Sequence, residues 1–131
     1  MSKTFKFNKL IRDKVYQMML DENVQVNLKK LSNSTEVLEY FKLKLLEEAH
    51  EVASATSTEH FIEELVDCLE VIHEFAKLLG LNFTDIESAR QQKLASKGGF
   101  AQRIVVESIT VTEAGEFMEY HLEHADRYPE I

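Results

Sequence analysis

Two acidic pairs carry the chemical interest of this chain: Glu48 with Glu51, and Glu64 with Asp67, each three residues apart. On a helix, carboxylates at that spacing share one face, about 5–6 Å apart at Cβ. The segment between the pairs, "VASATSTEHFIE", holds a short polar turn, which makes the flanking helices antiparallel. With the turn centred between Ser57 and Thr58, Glu51 comes level with Glu64 and Glu48 with Asp67. Four carboxylates then converge in one small region. An all-oxygen ligand set of this kind suits a hard divalent ion, Mg²⁺ or Mn²⁺, and Mg²⁺ sites commonly complete their coordination with water and substrate phosphate.

The pairs also disturb the apolar pattern. Projected at about 100° per residue, the first helix places Val37, Phe41, Leu45, Val52 and Ala55 in a stripe, with Glu48 inside it, Glu51 at its edge and Glu47 turned toward solvent. In the second helix Phe61, Cys68, Ile72, Phe75 and Leu79 form the stripe, with Glu64 at its edge and Asp67 beside it. Like charges buried together must protonate or be neutralised, because each uncompensated ion costs several kcal/mol. From Leu45 through Ala76 there are nine Asp or Glu and no Lys or Arg, so Lys44 alone is available as a local partner. Metal is one source of positive charge, and salt bridges to Lys or Arg from elsewhere in the chain are the other. Glu59, Glu63, Glu70 and Glu74 fit an ordinary solvated face. His50 and His73 project away from the acidic faces, which disfavours a His-rich zinc site.

Further along, Arg90, Lys93 and Lys97 recur along one side of a third helix, followed by "GGF". Oxygens of a polyphosphate can bridge a metal and such cations. An exposed helix face ending in a glycine stop has the same pattern.

The elements that must position these groups are mostly helical. "LIRDKVYQMMLDE" has helical spacing, with Asn23 as its stop. "VQVNLKKL" alternates as a strand or extended connector does. "SNST" caps a helix from Glu36 to Ala55, and "ATST" separates it from one running from Glu59 to Leu79, with Gly80 at the C-terminal stop. Thr84 and Glu87 form a capping-box pattern for the third helix. "RIVVESITVT" is β-prone, and the last twenty residues are peripheral. The expected architecture is all-α: a helical bundle built on a long antiparallel hairpin, with a minor β element near the C-terminus. One domain spanning 1–131 is expected, with a core at about 5–107 and a C-terminal extension from about 108 to 131.

The formal net charge of −8 argues against broad attraction to nucleic acid polymers or anionic membranes and favours cations as partners. The single cysteine, Cys68, cannot form an internal disulfide. No apolar run reaches the ~18 residues of a membrane span, and no signal-peptide core follows the charged start, so a cytoplasmic protein is expected.

The motif Glu47-Glu48-Ala49-His50-Glu51, followed by Glu64-Leu65-Val66-Asp67, resembles the EExxE and ExxD pair of the MazG-like all-α nucleotide pyrophosphohydrolases, a group that includes phosphoribosyl-ATP pyrophosphohydrolases. "FNKLIRDKV" and "KLASKGGFAQRI" resemble flanking segments of one subgroup, so the likeness covers roughly residues 5 to 107. It implies Mg²⁺-dependent hydrolysis of a nucleoside triphosphate to monophosphate and pyrophosphate, with nucleotide-pool housekeeping as the role. Phosphoribosyl-ATP hydrolysis in histidine synthesis is the enzymatic alternative, and a non-catalytic acidic binding module is the alternative of another class. By position, Glu48, Glu51, Glu64 and Asp67 would hold Mg²⁺ (or Mn²⁺), and Glu47 and Glu48 would serve catalysis, Glu47 through a second metal or the attacking water. Lys93, Lys97, Arg12 and Lys14 would contact phosphates. Lys97 stands where the family pattern leads one to expect Arg. Family members are dimers or tetramers, which implies a homo-oligomer here, and Leu46, Ile62 and Val66 lie off the main apolar stripes as that requires.

Overall fold

The computed structural model describes residues 1–131. Five helices follow in order: α1 (Asp13–Asp21), α2 (Ser34–Ser54), α3 (Thr58–Leu78), α4 (Phe83–Lys97) and α5 (Glu116–Glu123). There is no strand. No helix is long and apolar enough to cross a membrane.

Local side chains set the helix boundaries. Asn33 Oδ1 accepts the Glu36 N–H at the start of α2, and Ser57 Oγ accepts the His60 N–H at the start of α3, each satisfying an amide that has no intrahelical partner. At the end of α3, the Leu81 N–H donates to Ala76 O at 2.9 Å and the Gly80 N–H to Lys77 O at 3.0 Å. That is a Schellman motif, and it holds Gly80 at φ +74°. The start of α4 differs from the expected Thr84–Glu87 box. Asn82 Oδ1 accepts the Asp85 N–H and Asp85 Oδ2 accepts the Asn82 N–H, both at 2.9 Å. Asn82 immediately precedes the first helical residue and is at least as good a cap as threonine; Glu87 instead chelates Arg90.

Only residues 55–57 separate α2 from α3, and these two 21-residue helices pack against each other. The half-buried and buried side chains of α2 include Val37, Phe41, Leu45, Glu48 and Val52, which is the stripe projected from the sequence. On α3 the inward face is rotated from the projection. Glu64, Asp67, Cys68, Val71, Phe75 and Ala76 are buried or half-buried, whereas Phe61, Ile72 and Leu79 are exposed. Apolar residues cover a wide arc of α3, from Leu78 and Val71 round to Ile62 and Val66, with Glu59, Glu63, Glu70 and Glu74 on the opposite side, so its hydrophobic pattern does not single out which part of that arc meets α2.

The β element expected near the C-terminus is not formed, and "VQVNLKKL" is likewise not a strand. A strand needs a second one to pair its backbone groups, and Ile104 to Thr112 meets none. The chain divides into two compact units, Met1–Lys93 and Leu94–Ile131, with the boundary inside α4. In the second unit α5 carries a group of aromatic rings: Tyr120 packs on His124 at 4.3 Å between centroids, and His121 on Tyr128 at 4.8 Å. In the first, His73 stacks on Phe83 at 3.9 Å, tying the C-terminal half of α3 to the first turn of α4.

Open space surrounds the position a Gly80 Cβ would take, so only backbone strain opposes a side chain there. Gly80→Ala is therefore expected to lower stability by about 1–2 kcal/mol, read as a lower midpoint in urea denaturation with an unchanged slope.

Candidate metal centre

The acidic pairs meet where α2 and α3 pack together. Glu48 is the one buried charged residue of the chain, 7% exposed. Its carboxylate, with those of Glu64 and Asp67, forms a group in which one oxygen from each lies within 4.8 Å of the others. A second group within the same limit joins Glu51, His60 and Glu64. Glu64 belongs to both, so the four expected carboxylates fall into two overlapping sets, each of a size that could coordinate one ion.

Electrostatics at the centre follow from this crowding. Burial pushes the Glu64 carboxyl above its usual range, and the neighbouring charges of Asp67, Glu48 and Glu51 push the same way, with His60 opposing them. His60 Nε2 lies 3.3 Å from Glu64 Oε1. The Cys68 thiol is also pushed up, by burial first and then by Glu48, Asp67 and Glu64.

Cations from the N-terminal segment and from α2 surround the carboxylates. Arg12 Nη2 donates to Asp67 Oδ1 at 2.6 Å, and Lys9 Nζ donates to Glu47 Oε1 at 2.9 Å. Lys44 Nζ lies 3.2 Å from Glu47 Oε2 and 3.3 Å from Glu48 Oε1. Although partial burial pushes Glu47 upward, the hydrogen bonds from Lys9 and Lys44 prevail and hold its carboxyl below the usual range. Both Glu47 oxygens are thus engaged by lysines. A cleft of about 480 Å³ opens beside the centre, lined by Arg12, Lys14, Phe41, Lys44, Glu48 and Asp67, among others.

Of the phosphate-binding candidates, Arg12 and Lys14 line this cleft. Lys93 does not, although it belongs to the same unit, and Lys97 lies in the second unit, so the cleft is built without either. His60 and Lys9 escaped the sequence reading. His60 was legible as the residue four before Glu64, on the same helix face. Nothing in the spacing of Lys9 signals Glu47, because the contact joins residues 38 positions apart. His73 is occupied in its stack on Phe83.

Compared with known proteins, the chain matches no family model, no curated protein sequence and no solved structure.

The burial of Glu64, reinforced by its carboxylate neighbours, sets a sign for pH dependence. A carboxyl raised in the folded state keeps its proton longer there than in the unfolded chain, so its contribution to stability is present below the ordinary glutamate range and is lost as pH rises through the folded value. Glu64→Gln in EDTA is accordingly expected to melt above the parent at pH 7, with the gap closing by about pH 4. A variant that melts lower at pH 7 would rule out burial and like-charge crowding as the net force on Glu64.

Proposed function

We propose that this chain is a divalent-metal-dependent nucleotide pyrophosphohydrolase, hydrolysing a nucleoside triphosphate to the monophosphate and pyrophosphate. The observation that carries this reading is the placing of Glu48, Glu64 and Asp67 within mutual reach of one ion, at a cleft whose wall also presents Arg12, Lys14 and Lys44. The cleft volume of about 480 Å³ falls within the ~300–1,000 Å³ usual for small-molecule sites. The resemblance of Glu47–Glu51 and Glu64–Asp67 to the EExxE and ExxD motifs supports the same conclusion.

The donor set fits the ion. Carboxylate oxygens from Glu48, Glu64 and Asp67, with Glu51 beside them, suit Mg²⁺ or Mn²⁺. When bound, such an ion lowers the pKa of its water, orients phosphate oxygens and offsets developing negative charge. The chain's own groups supply the rest. Arg12, Lys14 and Lys44 offer cations to the triphosphate along the cleft wall. Glu47, with a lysine on each oxygen, holds Lys9 and Lys44 at the rim.

Assembly into a homo-oligomer belongs to the same reading. Leu46 on α2 is 67% exposed and Val66 on α3 is 54% exposed, and Leu43, Ile62, Leu65 and Leu69 are exposed with them. Contiguous apolar faces on neighbouring helices match what a second copy would cover. Val66→Glu is expected to lower the molar mass seen by sedimentation while retaining helical circular dichroism; an unchanged mass would count against this face as the interface.

A second reading has its own support. Lys9, Arg12 and Lys44 already bring positive charge to the carboxylates, so the centre could act as an internal ion-pair lock in a binding module without metal. Two measurements separate the readings. Millimolar Mn²⁺ should raise the melting midpoint if it binds only the folded chain, and a nucleotide panel should show pyrophosphate release that EDTA abolishes. Glu48→Gln is expected to reduce that release by at least about 100-fold, as loss of a charge-stabilising group does, with the helical content kept. Full activity in Glu48→Gln would sink the hydrolase reading.

A further inference from the structure

Residues 8–12 form a strap over the acidic centre. Asn8, at φ +49°, turns the chain, and its Oδ1 accepts the Tyr40 hydroxyl at 3.0 Å. Lys9 then reaches Glu47 on α2, Leu10 and Ile11 lie half-buried along the cleft, and Arg12 reaches Asp67 on α3. Two polar ties thus fasten the strap to α2 and one fastens it to α3. Arg12 also occupies the N-cap position of α1 but makes no capping hydrogen bond, since a guanidinium only donates and a cap must accept from the helix amides; its side chain donates to Asp67.

We propose that Arg12 is a tethered counter-cation that competes with a divalent ion for Asp67, so that the strap sets the metal affinity of the centre. The proposal rests on the reading of Glu48, Glu64 and Asp67 as metal ligands. Asp67 is the point where the two interests collide. One of its oxygens already accepts from a guanidinium at 2.6 Å, and its carboxylate is a member of the group within 4.8 Å that would surround an ion. A guanidinium and a divalent ion on the same carboxylate repel each other and divide its lone pairs. Covalent attachment gives Arg12 a high effective concentration at Asp67, so an ion must displace a competitor that dilution does not remove.

Arg12 is also built to yield. Its side chain is 52% exposed against 35% for Asp67, so it can swing into water without stranding a buried charge. The Asn8 and Lys9 ties and the half-buried Leu10 and Ile11 stay in place when it does. The released guanidinium remains at the cleft wall, ready for an anion arriving with the metal. Lys44 cannot act in this way, because it lies on α2 itself, one turn from Glu48, and is more buried.

The opposite arrangement makes a contrary prediction. A residue that orients a ligating carboxylate from outside strengthens metal binding, and its removal typically weakens affinity about 10–100-fold. Competition instead predicts tighter binding on removal. The test is Mn²⁺ titration calorimetry on the full chain and its Arg12→Gln and Lys14→Gln variants. Arg12→Gln is expected to tighten Mn²⁺ binding by about fivefold or more, while Lys14→Gln, which removes an equal charge from the same cleft, changes it far less. Unchanged or weaker binding in Arg12→Gln overturns the proposal, as does an equal gain in Lys14→Gln. No Mn²⁺ binding in any of the three chains overturns the metal-centre reading itself.

A second measurement uses the unaltered chain and so does not depend on the variants folding. The Arg12 Nη2–H resonance, held by the hydrogen bond to Asp67 Oδ1, should broaden by solvent exchange as Mg²⁺ saturates the centre. Persistence of a sharp, protected resonance at saturation, with Mg²⁺ binding evident elsewhere in the spectrum, overturns the proposal.

Discussion

Like charges held close together between α2 and α3 are the constraint on which the rest of the first unit depends. Glu48, Glu64 and Asp67 sit within mutual reach of one ion, and Glu48 is almost wholly removed from water. Crowded carboxylates are tolerated only when protons, metal or basic side chains offset them. Two of these means are visible in how this centre is made, and there is room for the third. Glu64 is pushed toward its protonated form, Arg12 and Lys44 lie against the cluster with Lys9 on the adjoining Glu47, and the carboxylates are close enough together that they could hold a metal ion. The N-terminal segment lies across both helices, with Lys9 on Glu47 of α2 and Arg12 on Asp67 of α3.

Little apolar burial accompanies this arrangement. Only Ala55, Val71 and Ala76 among the hydrophobic residues are buried, while α2 and α3 leave Leu43, Leu46, Ile62, Leu65, Val66 and Leu69 exposed. A fold of this size ordinarily draws its stability from a contiguous core. Capping therefore matters more here than it would in a well-filled bundle, and Asn33, Ser57, Gly80 and the Asn82–Asp85 pair mark the helix ends distinctly. The same deficit is the physical motive for proposing that a second copy covers the exposed faces.

Local rules are legible in the sequence for α2 and α3, though at α4 the Asn82–Asp85 cap forms in place of the expected Thr84–Glu87 box. The cap at Ser57 and the Gly80 stop are short-range hydrogen-bond and backbone requirements, so the bounds of α2 and α3 fall within two residues of those read from "SNST", "ATST" and Gly80. The acidic register was legible for a similar reason. A three-residue turn between two helices fixes which residues are level, and the structure groups Glu48 with Glu64 and Asp67, and Glu51 with Glu64. The β-prone "RIVVESITVT" shows where local preference fails, since a strand exists only with a partner and none meets it.

The sequence by itself determined α1 to α4, their order and the spacing of the carboxylates, because each depends on residues within a turn or two of one another; α5 falls in the stretch expected only to be peripheral. Tertiary structure alone decided which part of the broad apolar arc of α3 meets α2, because that arc is wider than one neighbouring helix covers and only packing chooses within it. It also decided that Lys9 and Arg12 reach Glu47 and Asp67, pairings 38 and 55 residues apart. Such contacts leave no periodic trace in the chain; they follow from where the N-terminal segment lies against half-buried carboxylates of α2 and α3.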